Sequence, residues 1–157
     1  MPLLKYYCKR FGVNLEIEET IIEEMILESR RHYPKEFGGI LLGRYSDNLN
    51  TAIITDIMMP IEYDNSRNHF RRGNAGVKER LRLEFNKKPS IIYLGEWHTH
   101  PDSTPDPSQI DINTLRTLSQ ANTVMIENPI MLIIGLKMKQ YNHIFYTIKN
   151  KNILSYE

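Results

Sequence analysis

Val13, Leu15 and Ile17 alternate with Asn14 and Glu16, a period of two that predicts a short, half-buried strand. The period then lengthens. Over about residues 18–31, Ile21, Ile22, Met25, Ile26 and Ser29 recur at three- and four-residue spacing, with Glu19, Glu23, Glu24 and Glu28 on the other side, which predicts an amphipathic helix. Acidic residues early, then Arg30, Arg31 and His32 late, suit the helix dipole, and Pro34 marks the stop. Residues 36–45 read as a strand with Gly38 and Gly39 at its entry, where something packed close excludes bulky side chains. A turn at Asp47-Asn48 leads to a second strand over residues 51–59, so the two predict a hairpin.

Residues 60–76 are polar and read as a long surface loop. Val77, Leu81 and Phe85 recur every four residues and predict a second helix between Gly76 and Lys88, whose basic residues Lys78, Arg80 and Arg82 read as a solvated face. Past Pro89, residues 91–94 form an apolar strand. Residues 106–121 predict a third helix with Leu115, Leu118 and Ala121 facing inward, and residues 129–136, 143–149 and 153–156 read as further strands. The class is therefore α/β or α+β, with a mixed β-sheet flanked by three helices.

At 157 residues the chain is about one domain long, and residues 1–157 are read as a single domain. With 20 Lys plus Arg against 19 Asp plus Glu, the net charge of +1 gives no global case for a nucleic-acid partner or an acidic membrane. Cys8 is the only cysteine, which excludes an intramolecular disulfide and a cysteine-rich zinc site. Lys5, Lys9 and Arg10 are not followed by the apolar segment of a signal peptide, and the apolar run at 130–134 is far too short for a membrane span. The expected location is cytoplasmic.

The chemistry concentrates in Gly95-Glu96-Trp97-His98-Thr99-His100-Pro101, followed after six intervening residues by Ser108 and then Asp111. In a strand, positions i and i+2 share a face, so His98 and His100 can approach one ion together, and Asp111 on the next helix supplies a third ligand. Three protein ligands with a fourth position left open is the arrangement of catalytic zinc. Such an ion lowers the pKa of water toward roughly 7 and polarises a carbonyl, which suits amide hydrolysis. Asp106-Pro107-Ser108-Gln109 reads as a helix start with Asp106 as N-cap, which puts Ser108 and Asp111 on one helix face. The Ser108 hydroxyl can then donate to an oxyanion. A general base is needed as well, and 19 acidic residues leave too many candidates for spacing to choose among.

Each of these residues has a plainer reading. A His-x-His pair alone is more often structural than metal-binding; Pro101, Ser108 and Asp111 at these offsets change that balance. Trp97 points away from the histidines and reads as core. Glu96 shares their face, which leaves it a second candidate for the base, but it reads first as a salt-bridge partner or a contact supporting the ligands; Asp102 and Asp106 read as turn and cap, and His32, His69 and His143 as ordinary. Ser103 lacks a nucleophile-elbow setting, and Cys8 lies in no catalytic context.

His98-Thr99-His100-Pro101, Ser108 and Asp111 together resemble the complete JAMM motif of the JAB/MPN metalloprotease family. Pro34, Glu36, Gly39, Leu41 and Gly43 resemble that family's glutamate-bearing segment. The resemblance implies a JAB/MPN-like domain in which His98, His100 and Asp111 hold one Zn²⁺, Glu36 is the general base for the attacking water, and Ser108 stabilises the oxyanion. It also implies an isopeptidase acting after the C-terminal tail of a ubiquitin-like protein or related protein conjugate. Residues 95–101 look most like small bacterial JAB proteins encoded beside activating-enzyme-like and conjugating-enzyme-like partners, antiphage systems among them. Only about eight residues separate the third helix from the strand at Ile130, so the second substrate-binding insertion of the eukaryotic deubiquitinases is expected to be missing. The alternatives are a zinc hydrolase of a small-molecule amide or peptide conjugate, a non-catalytic MPN scaffold, disfavoured because every motif residue is retained, and a histidine-based metal or nucleic-acid binding module, which explains neither Ser108 nor Glu36.

Overall fold

The computed structural model describes residues 2–120 and 128–157. Strand β1 (Leu3–Cys8), which the sequence pattern did not announce, pairs antiparallel with β2 (Val13–Glu18), the alternating stretch around Leu15. Helix α1 (Glu19–His32) buries Ile21, Ile22, Met25, Ile26 and Ser29, the stripe expected of it. Strands β3 (Gly38–Tyr45) and β4 (Thr51–Met58) form the expected hairpin. Then come β5 (Tyr63–Ser66), β6 (His69–Arg72), α2 (Val77–Phe85), β7 (Ile92–Pro101), α3 (Gln109–Gln120), β8 (Ile130–Leu136), β9 (Tyr141–Lys149) and β10 (Asn152–Ser155).

Eight strands make one mixed sheet in the order β1-β2-β4-β3-β7-β8-β9-β10, with β2/β4 and β7/β8 parallel. With three helices against it, the α+β reading holds. The two faces of the sheet carry separate cores, because alternate residues of each strand point to opposite sides. Leu41, Ile130, Leu132 and Ile134 face α1. On the opposite face, Ile40, Leu42 and Met58 meet Val77 and Leu81 of α2, while Met131, Ile133 and Tyr146 meet Leu115 of α3. The sheet curls far enough for its ends to meet: Tyr7 of β1 and Glu157 exchange both backbone hydrogen bonds, at 2.6 and 2.7 Å. The Tyr6 hydroxyl donates to His143 Nε2 of β9 at 2.8 Å across the same seam.

Three expectations need correction. Residues 60–76 are not a plain loop: β5 and β6 form a two-stranded antiparallel hairpin separate from the main sheet. Its strands, Tyr-Asp-Asn-Ser and His-Phe-Arg-Arg, are short and polar, so no apolar alternation reveals them. Phe85, counted with Val77 and Leu81 in the apolar recurrence, is 60% exposed, because α2 ends there and Glu84 is the residue turned inward, held by Arg80 and Lys87. Helix α3 starts at Gln109 rather than 106, and Asp106 accepts a hydrogen bond from Thr104 instead of capping it. The inward placement of Ala121, and the short connection from α3 toward Ile130, fall on residues 121–127, outside the described residues.

A β-bulge sets the phase of β7. Leu41 of β3 pairs with Gly95 and Leu42 with Tyr93, so Leu94 is an extra residue on β7. Tyr93 lies on the α2 face, Leu94 in the α1 core, and Trp97 in the α1 core again. After the bulge, Glu96, His98 and His100 therefore occupy the face that α2 and α3 cover, and Trp97, 1% exposed, stays inside. The glycines at the start of β3 allow the close approach expected of them. A Cβ on Gly38 would lie 2.1 Å from the Trp97 carbonyl oxygen and 2.9 Å from His98 Cα, so only glycine lets β3 pair with β7 at His98.

Candidate metal centre

His98 and His100 stand two apart near the end of β7, and Asp111 projects from the first turn of α3. Ser108 and Asp111 build that turn by a reciprocal capping box: the Asp111 N–H donates to Ser108 Oγ at 3.1 Å and the Ser108 N–H donates to Asp111 Oδ2 at 2.9 Å. Ser108 is thus the N-cap. The cap holds the carboxylate against both imidazoles, with Asp111 Oδ1 3.1 Å from His98 Nε2 and Oδ2 3.1 Å from His100 Nε2. The two Nε2 atoms are 3.2 Å apart.

This donor set fits a metal ion. His100 Nδ1–H donates to the Thr104 carbonyl at 3.2 Å, which in the neutral ring leaves Nε2 as a lone pair pointing at the other two ligand atoms. Three electron-rich atoms at this spacing call for a shared cation, and His98, His100 and Asp111 form the metal-competent group among the described residues. Where protons rather than an ion meet that demand for positive charge, the electrostatics show its strength. Burial pushes the His100 imidazole down, yet the hydrogen bond and charge of Asp111, the Thr104 carbonyl and Glu36 raise it overall. Burial also works against ionised Asp111, but hydrogen bonds from His100 and His98, the His98 charge and the Ser108 N–H hold it far below the usual carboxylate range.

A groove of roughly 550 Å³ runs over these residues. Glu36, His98, His100, Ser108 and Asp111 all line it. The β5–β6 hairpin supplies one wall through residues 67–72, and Ile110 and Thr114 of α3 supply the other. Glu36 lies just before β3 rather than within it. Burial raises its carboxyl above the ordinary glutamate range; the His98 and His100 imidazoles pull it back in part, and Asp111 adds to the rise. The Ser108 hydroxyl accepts from the Asp111 N–H, which leaves its own proton free to donate into the groove.

The five residues singled out from the sequence are thus brought together. Glu96 pairs bidentately with Arg72, Nε to Oε1 at 2.8 Å and Nη2 to Oε2 at 3.1 Å, and accepts from the Tyr93 hydroxyl at 2.8 Å. A carboxylate engaged three times over is a salt-bridge partner, as expected. The other histidines have neighbours that spacing could not announce: His32 stacks on Phe37 with centroids 3.8 Å apart, His69 lines the groove, and His143 meets Tyr6. Sequence reasoning also missed Thr99, whose Oγ1 accepts from the Phe37 N–H at 3.0 Å, and Asn65, whose Nδ2 donates to the Glu36 carbonyl at 2.8 Å. The inward phase of Thr99 between two outward histidines was the available signal for the first; none existed for the second.

Residues 18–149 match the model of the prokaryotic homologues of the JAB domain, and the chain belongs to that family. A CD-NTase/cGAS isopeptidase of Enterobacter hormaechei is 32% identical over 120 residues, covering 76% of this chain and 66% of that protein, just under two thirds of its length. A second CD-NTase/cGAS isopeptidase, from Escherichia coli, is 33% identical over 81% of this chain and 80% of its own. A probable metalloprotease of Sinorhizobium fredii is 27% identical over 75% and 73%. The fold is that of a protein from Desulfitobacterium hafniense solved in solution, with TM-score 0.62, 22% identity, and 88% and 87% of the two chains covered. Among the described residues, no helix is long and apolar enough to cross a membrane.

Proposed function

We propose that this chain is a JAB-type metal-dependent isopeptidase that hydrolyses the amide bond joining the C-terminal tail of one protein to an amine of another. The observation that carries this reading is the convergence of His98 Nε2, His100 Nε2 and the Asp111 carboxylate within 3.1–3.2 Å of one another on the floor of a groove that Glu36 and Ser108 also line. His98, His100 and Asp111 would hold one Zn²⁺, which when bound polarises the scissile carbonyl and acidifies water.

The remaining steps belong to the chain's own side chains. Glu36 takes the proton of the attacking water and returns it to the departing amine, a task that suits a carboxyl whose proton affinity burial has raised. The Ser108 hydroxyl donates to the oxyanion as the carbonyl becomes tetrahedral. The groove lies open between hairpin and helix, which suits an extended tail rather than an enclosed small molecule. The names of the relatives support a CD-NTase or cGAS-like protein as the conjugated partner. Activating-enzyme-like and conjugating-enzyme-like proteins would supply the conjugate.

The test is cleavage of a CD-NTase fused through its C-terminal tail to a reporter protein, alongside a ubiquitin-like fusion and small amides. Zinc-loaded protein should cut a protein fusion and Glu36→Gln should not, while keeping its metal. An active Glu36→Gln variant would move the base elsewhere, and cleavage confined to small amides would make the chain an amidase.

A further inference from the structure

The β5–β6 hairpin does more than wall the groove. The N–H of Glu36 donates to the Ser66 carbonyl at 2.8 Å, and Asn65 Nδ2 donates to the Glu36 carbonyl at 2.8 Å, so consecutive residues of β5 bracket the Glu36 residue on both its backbone polar groups. The next residue, Phe37, is boxed by the same hairpin: Tyr63 and Phe70 meet its ring edgewise at 5.3 and 5.8 Å, and Tyr63 also meets the stacked His32 edgewise at 5.5 Å. Glu36 therefore takes its position from the hairpin on one side and from β7, through Thr99, on the other.

The hairpin has little stability of its own. A lone two-stranded ribbon is marginal in water, and this one is outside the main sheet. It is held by the Arg72–Glu96 pair, by the Phe37 box and by the Glu36 backbone. Its tip and second strand, residues 67–72, are what a substrate tail in the groove would touch. Contact there would steady the hairpin, and the Asn65 amide is its side-chain link to the peptide carrying the base.

We propose that Asn65 is a positioning residue through which the groove wall sets the place of Glu36. This rests on the reading of Glu36 as general base. Asn65→Asp is isosteric but replaces the amide donor with a carboxylate that faces the Glu36 carbonyl. With the fusion substrate, it should lower kcat on the order of 10-fold to 10²-fold, the scale of a small misplacement of a reacting group, while KM and zinc content hold and the protein stays folded at the assay temperature. Independently of turnover, exchange of the Glu36 amide hydrogen with deuterium should speed up in the variant. Should Asn65→Asp fail to fold, Asn65→Ala, which removes the donor without adding charge, should give the same split.

An unchanged kcat beside a dead Glu36→Gln variant would overturn the coupling and leave the base assignment standing. A change in KM alone would make the hairpin a binding wall only, and a loss of kcat that tracks a loss of Tm would make Asn65 a mere buttress; either overturns the proposal. An active Glu36→Gln variant would remove both the base assignment and this inference.

Discussion

Thr99 holds Phe37 at both of its backbone polar groups: the Phe37 N–H donates to Thr99 Oγ1 at 3.0 Å, and the Thr99 N–H donates to the Phe37 carbonyl at 2.9 Å. The residue between the two histidines thereby fixes the residue after Glu36, and the two motif segments, some sixty positions apart, are joined at fully buried atoms. Thr99→Val keeps the shape and leaves the buried Phe37 N–H without its partner, which should cost about 1–3 kcal/mol. Activity should fall with zinc retained, and Thr99→Ser should restore it. Denaturation, metal analysis and fusion cleavage measure the three.

The capping box separates two roles at the start of α3. Ser108→Ala removes the N-cap oxygen and should lower stability by about 0.5–2 kcal/mol with zinc still bound. If the hydroxyl also serves the oxyanion, kcat should drop by about 10²-fold or more. Asp111→Asn keeps an oxygen for the Ser108 N–H and loses the charge, so the helix should persist while zinc is lost. Metal content against Tm distinguishes the variants.

Arg72 and Glu96 are each less than one-fifth exposed, so removing one partner strands the other charge away from water. Arg72→Leu should destabilise the protein more than the double variant Arg72→Leu/Glu96→Gln, in which no charge is left over. A double-mutant cycle by chemical denaturation reads the difference. A double variant less stable than Arg72→Leu would mean that Glu96 has other support.

His143 gives a stability prediction remote from the groove. Burial lowers its imidazole below the ordinary 6.5, and Tyr6 donates to it as a neutral acceptor. The unfolded chain takes up this proton at a higher pH than the folded one does. The contribution is therefore complete above about 6.5 and is lost as pH falls through the lower folded value. Wild-type stability should decline between pH 7 and 5 more steeply than that of His143→Gln, which can still accept from Tyr6 without titrating. Equal slopes in denaturant titrations would count against it.

The strands and helices that bury a stripe or an alternating face were legible in the sequence, because burial imposes the period: α1, β2, β3, β4 and β8 lie where the apolar pattern put them. The metal ligands were legible because one strand and one helix turn deliver them locally. What escaped was non-local. Strand β1 is an edge whose residues 3–7 alternate between exposed and half-covered, with Cys8 alone buried, so its apolar signal is faint. The β5–β6 hairpin takes its place from Phe37, Glu36 and Glu96, and its own apolar face is only Tyr63 and Phe70, one from each strand, too little to show as a period. The start of α3 was misjudged because Asp106-Pro107 imitates a helix entry that Ser108 and Asp111 make two residues later. Resemblance, not spacing, chose Glu36 from the acidic residues, since its approach to His98 depends on β3 lying beside β7.

The extra residue at Leu94 has a further consequence for how this family can vary in length. The bulge can take up a one-residue difference in length: with Leu94 removed, Gly95 would follow Tyr93 against Leu41 and Leu42, and His98 and His100 would keep their face. One residue added or lost beyond Gly95, where pairing with β3 is regular, would instead turn both histidines toward the α1 core and Trp97 toward the groove.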